Sequence, residues 1–454
     1  MSSYVIDSRL FRDQFSTPAM RHIFSDEMTV QKWLDFEAAL AKVEAKLGVI
    51  PQHAADEIIR KAKVELFDLE EIKLEMDRTS HPIVPLLRAI KKVCDGDAGE
   101  FVHWGATTQD VTDTGTVLQI REALDEIGGN VVSLHRNVCA LAARHRDTIV
   151  VGRSHGQHAL PVTFGFKVAI WAAEIGRHLR RLEEMRGRLL VGQFSGAVGT
   201  LAALGDQGLA VQQALMAELD LGCPQITWHT ARDSIGEMVC VLAMTVATVG
   251  KIAHEIYSLQ RTEFSELEEP FAEGKVGSST MPHKRNPPAC ETIIAISRLV
   301  RQTVPLAMEA IGAEHERDKV VLQTEREFIA RLCCLSDAAI KKAVHVTGDL
   351  TVRSDRMEVN LFLQKGLLMS EAVMMHFGNV LGRQEAHEMI YKICMEAFET
   401  DVPFKDLLMS NEVIAAAITS DELDELLDPN NYTGLAGHFV DKVLAACQPG
   451  DPGN

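Results

Sequence analysis

The chain has 454 residues, of which 46% are apolar and 24% charged, so it is long enough to bury a large core and is predicted to be a soluble globular protein. Its formal net charge of −18 argues against nucleic acid or an anionic membrane as partner. The first residues show no apolar signal region, and nine cysteines without a C-x-x-C pair indicate reduced, buried thiols. We therefore expect a cytoplasmic protein that uses no metal and no other cofactor.

Helical periodicity dominates the chain. Apolar positions at helical spacing predict a helix over Trp33–Leu47 and then five much longer helices. The long helices are predicted over Asp110–Arg146, Pro161–Leu190, Ser234–Glu263, Pro288–Ala313 and Thr324–Leu350. The first of them is expected to be weakened at the pair Gly128 and Gly129. Helices of this length with wide apolar faces must bury against other helices, so the sequence predicts an all-α bundle that is partly buried between subunits.

Element lengths suggest three consecutive domains. Residues 1–111 show shorter helices and more turns, 112–361 carry the long helices, and 362–454 return to short helices. The apolar run Val239–Val249 is too short, and too closely flanked by charges, to span a membrane. The last residues, Gln448–Asn454, are expected to be disordered.

Two polar segments precede the first long helix. One contains His81, and the other ends in Thr107, Thr108, Gln109 and Asp110. Hydroxyl and carboxylate side chains at the start of a helix are typical of an N-cap. A helix N-terminus that carries two hydroxyls also suits a bound carboxylate. Both interpretations stay open, because one threonine pair can serve both roles.

A third polar segment, Gly152–His158, contains Ser154, His155 and Gln157. Its two histidines have no carboxylate at ligand spacing and do not form an H-E-x-x-H pattern, so a metal site is not expected. A histidine in a glycine-flanked loop before a long helix suits an acid–base or binding group. A purely structural histidine is the alternative for this segment taken alone.

The segment Gly277–Pro287 is the most informative in the chain. It reads Gly-Ser-Ser-Thr-Met-Pro-His-Lys-Arg-Asn-Pro, and its glycine and prolines predict an irregular loop. Exposed N–H groups together with Lys284 and Arg285 would suit a small anion such as a carboxylate. The chain contains no P-loop, no dinucleotide fingerprint and no G-x-S-x-G elbow, which argues against the corresponding enzyme classes. A surface turn with incidental charge is the alternative.

Gly277–Pro287, together with the segments at Thr107-Thr108 and Ser154-His155, resembles the signature regions of the fumarase/aspartase superfamily. The resemblance covers nearly the whole chain. It implies an all-α, three-domain fold with a central long-helix bundle that forms the core of a homotetramer. It also implies composite active sites from three subunits, which release fumarate from small succinyl carboxylates without a cofactor.

The same resemblance assigns roles to individual residues. Ser278 would be the general base, and His155 the acid or binding histidine, oriented by Glu291. Lys284 would polarise a substrate carboxylate, and His81 would be a second catalytic histidine. The residues implied in substrate binding are Thr107, Thr108, Ser154, Gln157, Ser279, Met281, Asn286, Arg317 and Arg326. Proton removal beside a carboxylate creates a dianion, which only a site dense in N–H dipoles and cations stabilises.

Within the superfamily, the chain resembles the branch of 3-carboxy-cis,cis-muconate cycloisomerase and adenylosuccinate lyase. The segments that carry this likeness are Pro18–Met20, Ile23–Asp26, Asp35–Leu40, Trp228–Thr230, Arg232–Asp233 and Glu314–Arg317. His155 and Glu291 fit a lyase that protonates its leaving group. The positions that depart from the nucleotide site of adenylosuccinate lyases are Gln14, Phe15, Trp228 and Leu322. We expect a C–N or C–O lyase for a non-nucleotide succinyl substrate, with cycloisomerase, adenylosuccinate lyase and a non-catalytic descendant as alternatives.

Overall fold

The structure is a computed structural model that describes residues 3–271, 274 and 276–447. The first ten of its helices are α1 Arg12–Phe15, α2 Pro18–Ile23, α3 Asp26–Lys46, α4 Gln52–Lys61, α5 Leu69–Thr79, α6 Val84–Val93, α7 Thr108–Arg144, α8 Phe164–Leu189, α9 Gly208–Glu218 and α10 Asp233–Leu259. The others are α11 Pro288–Arg301, α12 Thr303–Glu309, α13 Lys319–Gly348, α14 Ser354–Leu361, α15 Ser370–Leu381, α16 Arg383–Thr400, α17 Phe404–Ser410, α18 Glu412–Ala417, α19 Ser420–Leu427 and α20 Ala436–Ala446. The strands are β1 Ile149–Ser154, β2 Gln157–Thr163, β3 Leu267–Glu268 and β4 Thr351–Val352.

The described residues form two compact units, each assembled from three chain segments. Unit 1 comprises 3–132, 177–250 and 292–341, and unit 2 comprises 133–176, 251–291 and 342–447, without the undescribed positions. The predicted division into three consecutive domains stays a prediction. The tail predicted to be disordered lies outside the described residues.

The prediction of an all-α protein with long helices is confirmed. Helix α7 runs unbroken through Gly128 and Gly129, where a side-chain methyl group would meet no atom within 4 Å. The predicted helix over Pro288–Ala313 is wrong, because α11 ends at Arg301 and a separate helix, α12, follows. Pro305 explains the break, since its ring lacks an N–H group and would clash with the carbonyl of Arg301 in a continuous helix.

Helix α10 is long and apolar enough to cross a membrane by length and composition alone. However, 72% of its most apolar window is buried inside the protein. Residues Val239, Leu242 and Val246 are fully buried at helical spacing. The helix is therefore explained as a core element of the fold.

The predicted start of the second long helix at Pro161 is also wrong, because this residue lies in a β-hairpin. Strands β1 and β2 pair antiparallel, with Val151 opposite Pro161 and Ser154 opposite Gln157. The β-branched residues of Ile149–Val151 favour the extended chain. Proline is tolerated because a two-stranded sheet consists only of edge strands. The candidate segment Gly152–His158 thus folds into the hairpin end rather than into a plain loop.

The core of unit 1 contains a buried acid. Glu44 lies on α3 with 0% of its surface exposed, and neither carboxyl oxygen has a hydrogen-bond partner among the described residues. Burial, and after it the charge of Glu37, raises the pKa of Glu44 to about 9. The side chain is therefore protonated and neutral in the folded protein at neutral pH.

Candidate active site

A buried aspartate builds the turn that presents Thr107 and Thr108. The carboxylate of Asp110 is fully buried and accepts hydrogen bonds from the backbone N–H groups of Thr107 (3.0 Å), Ser195 (3.1 Å) and Gly196 (3.0 Å). The Nε2 atom of His229 lies 2.9 Å from the same carboxylate. The aspartate joins the start of α7 to the loop that contains Ser195 and Gly196, so four contacts fix the position of the threonine pair.

His81 contacts the second threonine. Its Nδ1 atom accepts a hydrogen bond from the N–H of Val84 at 3.2 Å, which leaves the proton of the neutral ring on Nε2. Nε2 in turn lies 3.1 Å from the hydroxyl of Thr108 and donates to it. Burial lowers the pKa of His81, and the positive charges of Lys319, His103 and Arg317 lower it further. The imidazole is therefore neutral at neutral pH.

Arg317 contacts the first threonine. Its guanidinium donates to the hydroxyl of Thr107 at 2.8 Å and to the side-chain oxygen of Gln109 at 3.3 Å. Because the Thr107 oxygen acts as the acceptor here, its own hydroxyl proton is free to be donated. The half-buried threonines and the exposed Arg317 therefore present hydroxyl and cationic donors together, as a carboxylate subsite requires.

A buried ion network lies in unit 1, next to the first turns of α7. Arg232 donates to Asp113 at 2.9 and 3.1 Å and to the carboxylate of Glu325, and its guanidinium lies 4.8 Å from the centre of the Trp228 ring. Burial raises the pKa of Glu325, and the contact with Arg232 opposes this rise. No local pattern indicates this network, because Asp113 lies 119 positions from Arg232.

Arg326 lines a cavity of about 170 Å³ next to the ion network. Leu322, one helical turn earlier on α13, lines the same cavity, as do Asp113 and Glu325. Burial lowers the pKa of the Arg326 guanidinium, while the charge of Asp113 favours the protonated form. The cavity wall thus combines the Arg326 guanidinium with two carboxylates, both of which also accept hydrogen bonds from Arg232.

In unit 2, the candidate histidine lies at the tip of the β-hairpin. His155 and Gly156 form its two-residue turn, with φ angles of 53° and 78°. Positive φ at both central positions is the type I′ turn that matches the twist of two antiparallel strands. Ser154, His155 and Gln157 are exposed.

The hairpin is anchored close to its tip by an ion pair. Arg153 donates to the two carboxylate oxygens of Glu266 at 3.0 and 2.5 Å and stacks 4.9 Å from the centre of the Phe264 ring. Such a bidentate, half-buried contact fixes the strand better than a single exposed pair does. The hairpin therefore holds His155 on a rigid support.

The described part of the loop before α11 is irregular, as predicted, and is braced by its own residues. The Oγ atom of Ser278 accepts a hydrogen bond from the N–H of Met281 at 3.1 Å. Asn286 donates to the carbonyl of Gly277 at 2.8 Å. A methyl group on Gly277 would lie 2.1 Å from the carbonyl oxygen of Lys284, so only glycine permits this close approach. Ser279, Met281 and Lys284 remain exposed.

Two acidic side chains that the sequence reasoning missed hold this loop. Glu268 accepts hydrogen bonds from Arg285 at 2.7 Å and from Arg353 at 2.5 Å. Glu269 is buried and accepts from the N–H groups of Ala289 and Cys290 in the first turn of α11. A carboxylate at the N-terminal end of a helix is favoured by the helix dipole. No local pattern could reveal the contact, because the pair lies about 20 positions from the helix start.

The candidate residues fall into two groups. His81, Thr107, Thr108, Arg317 and Arg326 belong to unit 1, and the first four form the contacts described above. The candidate residues of the hairpin and of the loop, and Glu291 in the first turn of α11, belong to unit 2.

Within the described parts of the single chain, no hydrogen bond or ion pair joins His155, Glu291 and Ser278 to one another. Glu291 is exposed in the first turn of α11. The roles implied for these three residues stay predictions.

Comparison with known proteins gives a consistent result. Residues 12–301 match a family model described as lyase, and residues 366–443 match one described as adenylosuccinate lyase C-terminus. The chain is 42% identical to N-acetyl-S-(2-succino)cysteine lyase of Dickeya dadantii over 98% of both chains. It is 43% identical to the protein of the same name from Enterococcus italicus, over 99% of this chain and 98% of that one.

Among solved structures, the chain is similar to 3-carboxy-cis,cis-muconate lactonizing enzyme from Pseudomonas putida. The TM-score is 0.92 at 38% identity, with 97% of this chain and 99% of the other covered. The fold predicted from the signature regions is thereby confirmed. From its family matches, its near full-length relatives and its fold, the chain belongs to the fumarase/aspartase superfamily, in the adenylosuccinate lyase and carboxymuconate cycloisomerase branch.

Proposed function

We propose that this protein is a lyase that eliminates fumarate from a succinyl thioether of the N-acetyl-S-(2-succino)cysteine type. The observation that carries the proposal is the 42% and 43% identity to two lyases of that name, each over at least 98% of both chains. The proposal keeps the succinyl substrate that the sequence predicted. It changes the expected leaving atom from nitrogen or oxygen to sulfur.

The proposed reaction needs one base and one anion site. Ser278, as alkoxide, removes a proton from the methylene carbon of the succinyl group, and the electron pair is held by the neighbouring carboxylate. That pair then forms the carbon–carbon double bond of fumarate while the carbon–sulfur bond breaks and the sulfur leaves with its electrons. Thr107, Thr108 and Arg317 supply hydroxyl and guanidinium donors for a carboxylate, and Lys284 supplies a further cation.

The chemistry of the leaving group bears on the role of His155. A thiol has an ordinary pKa of about 8.5, so sulfur can depart as a thiolate near neutral pH. An amine is a far more basic leaving group and must be protonated as it departs. We therefore expect His155 to contribute less to cleavage of a thioether than to cleavage of an N-substituted aspartate.

The Arg326 cavity supports a substrate without a phosphate. The positions of Leu322, Asp113 and Glu325 place one apolar and two acidic side chains in the same wall. A phosphate bound there would lie beside the carboxylates of Asp113 and Glu325, whose like charge opposes its binding, and Leu322 offers it no hydrogen-bond donor. Adenylosuccinate is accordingly expected to be a poor substrate.

We also propose that the active enzyme is a cytoplasmic homotetramer with composite sites. The long helices expose apolar side chains, including Val132 on α7, Ile170 on α8 and Met244 on α10, which are 46%, 50% and 44% exposed. Apolar surface on bundle helices is typical of subunit interfaces. Light scattering of the purified protein tests the assembly, and a monomer that is fully active would contradict it.

The test of function is fumarate release, followed by the absorbance of its double bond. The panel contains N-acetyl-S-(2-succino)cysteine, N-substituted aspartates, adenylosuccinate and 3-carboxymuconate. We expect turnover to be fastest with the thioether. The similarity to the lactonizing enzyme makes cycloisomerase the second candidate. Lactone formation from 3-carboxymuconate, without fumarate release from any succinyl compound, would establish that function instead.

The role of Ser278 is tested with a matched pair of variants. Ser278→Ala should lower kcat by about 10³-fold or more, because the variant has no group to accept the proton. Ser410→Ala changes an exposed serine at the end of α17, outside the candidate site, and should retain activity within about tenfold of the wild type. Comparable activity in both variants would exclude Ser278 as the base.

A further inference from the structure

Three side chains with metal-binding atoms meet in unit 2, in a region that the proposed reaction does not use. His135 and Cys139 lie on α7, one helical turn apart, and Cys447 lies directly after the last residue of α20. Their Nε2 and Sγ atoms all lie within 4.8 Å of one another. All three side chains are half-buried, so the cluster is shielded but accessible to a small ion.

The distances within the cluster fit a tetrahedral metal. The Nε2 atom of His135 lies 3.7 Å from the sulfur of Cys139 and 3.5 Å from the sulfur of Cys447. With Zn–S bonds of about 2.3 Å and Zn–N bonds of about 2.0 to 2.1 Å, tetrahedral geometry separates nitrogen and sulfur by about 3.6 Å. The two measured distances lie on either side of that value.

The two thiols are hydrogen-bonded to each other, and Nε2 faces both sulfur atoms at similar distances. A metal ion placed between the three atoms would satisfy all of them at once. The ring also hydrogen-bonds to the backbone of Ala172 on α8, a contact of the kind that orients metal-binding histidines.

The surroundings leave room for an ion. Gly176 on α8 faces the ring, and a methyl group at this position would lie only 3.3 Å from Nε2. A residue larger than glycine at position 176 would therefore crowd the ring nitrogen that faces the two sulfur atoms.

We propose that His135, Cys139 and Cys447 form a binding site for a borderline-soft divalent cation of the Zn²⁺ class. Two S–H bonds are replaced by two metal–sulfur bonds, two protons pass to solvent, and the oxidation state of the metal does not change. Two thiolates balance the charge of the ion, and water completes the tetrahedron. The ion would link the end of α20 to α7, because it would bind both Cys447 and His135, which lie 312 positions apart in the sequence.

The test uses Co²⁺ as a spectroscopic probe on the full-length, reduced and chelator-treated protein. We expect one Co²⁺ per chain, a thiolate-to-cobalt charge-transfer band in the ultraviolet, intense visible bands of a tetrahedral site, and displacement by Zn²⁺. Two protons should be released per ion bound. Cys139→Ser and Cys447→Ser should each lose the charge-transfer intensity, whereas Cys223→Ser, at an exposed cysteine of unit 1, should keep it.

Retention of the band in both ligand variants, or no band in the wild type, overturns the proposal. A disulfide between Cys139 and Cys447 is the competing chemistry. It is established instead if the protein as purified, unfolded without reductant, shows two fewer reactive thiols than its nine cysteines, and the reduced, folded protein binds no Co²⁺. Circular dichroism of each variant controls for folding. Because these measurements use no substrate, they are independent of the proposed lyase activity.

Discussion

The buried carboxyl group of Glu44 gives a quantitative prediction about stability and pH. The pKa of Glu44 rises from 4.5 in the unfolded chain to about 9 in the folded protein, because the side chain is buried without a partner. Since the folded state holds the proton more tightly, the contribution of Glu44 to the free energy of unfolding is fully present below pH 4.5. That contribution is lost progressively as the pH rises towards 9.

At pH 7 the loss amounts to about 1.4 kcal/mol for each pH unit above 4.5, or about 3 kcal/mol in total. Glu44→Gln keeps the size and polarity of the protonated acid but does not titrate. We therefore expect this variant to be more stable than the wild type at pH 7 by about 3 kcal/mol, with little difference near pH 4.5.

The assay is urea unfolding at fixed protein concentration across pH 5 to 8, because assembly would make the midpoint concentration-dependent. The stability gained by Glu44→Gln should grow by about 4 kcal/mol over this range. Glu396→Gln, at an exposed position on α16, makes the same chemical change at the surface and should show no comparable trend. A gain that is equal at pH 5 and pH 8 would refute the assignment of a buried, protonated acid.

Three further predictions concern the candidate site. Protonation of His81 would break the hydrogen bond that Nδ1 accepts from the backbone. Because the pKa of this ring is lowered, activity should fall only as the pH drops below the ordinary histidine value of 6.5. In a pH–rate profile, His81→Gln should remove this loss of activity at acidic pH. Asp110→Asn replaces one acceptor oxygen by an amide nitrogen, so either the N–H of Ser195 or those of Thr107 and Gly196 lose their acceptor, and unfolding measurements should show a loss of about 1 to 6 kcal/mol. A loss below about 1 kcal/mol would show that the four contacts are not essential. Gly277→Ala forces the loop away from the carbonyl of Lys284, so kcat should fall by about 10- to 100-fold while the thermal midpoint of unfolding changes little. An unchanged kcat would exclude a role for the close approach of Gly277 to this carbonyl.

The sequence predicted the helices well because their signal is local. Apolar residues at helical spacing identified α7, α10 and α13, and each observed helix overlaps its predicted range closely. The hairpin was missed, although Ile149–Val151 and the His-Gly dipeptide carried its signals. Those signals are short, and the helix that follows dominates the periodicity.

The candidate site was predictable only in part. Glycine, proline and hydroxyl patterns located the loop and the threonine pair, since these residues act through local geometry. The family resemblance named Arg317, but no local pattern could predict the contacts that hold these residues, because His229 lies 119 positions from Asp110 and Arg317 lies 210 positions from Thr107. The same holds for the cysteine and histidine cluster, whose spacing of 312 positions matches no metal-binding pattern.

The left-handed turn at the hairpin tip has an evolutionary consequence. A non-glycine residue in this conformation is disfavoured by roughly 1 to 2 kcal/mol, whereas glycine and, to a lesser degree, asparagine adopt it readily. At position 155, the residue that would stabilise the fold most therefore differs from the histidine that supplies the imidazole. A library of variants selected only for thermal tolerance should drift towards glycine or asparagine at this position, whereas one selected for amine release should keep histidine.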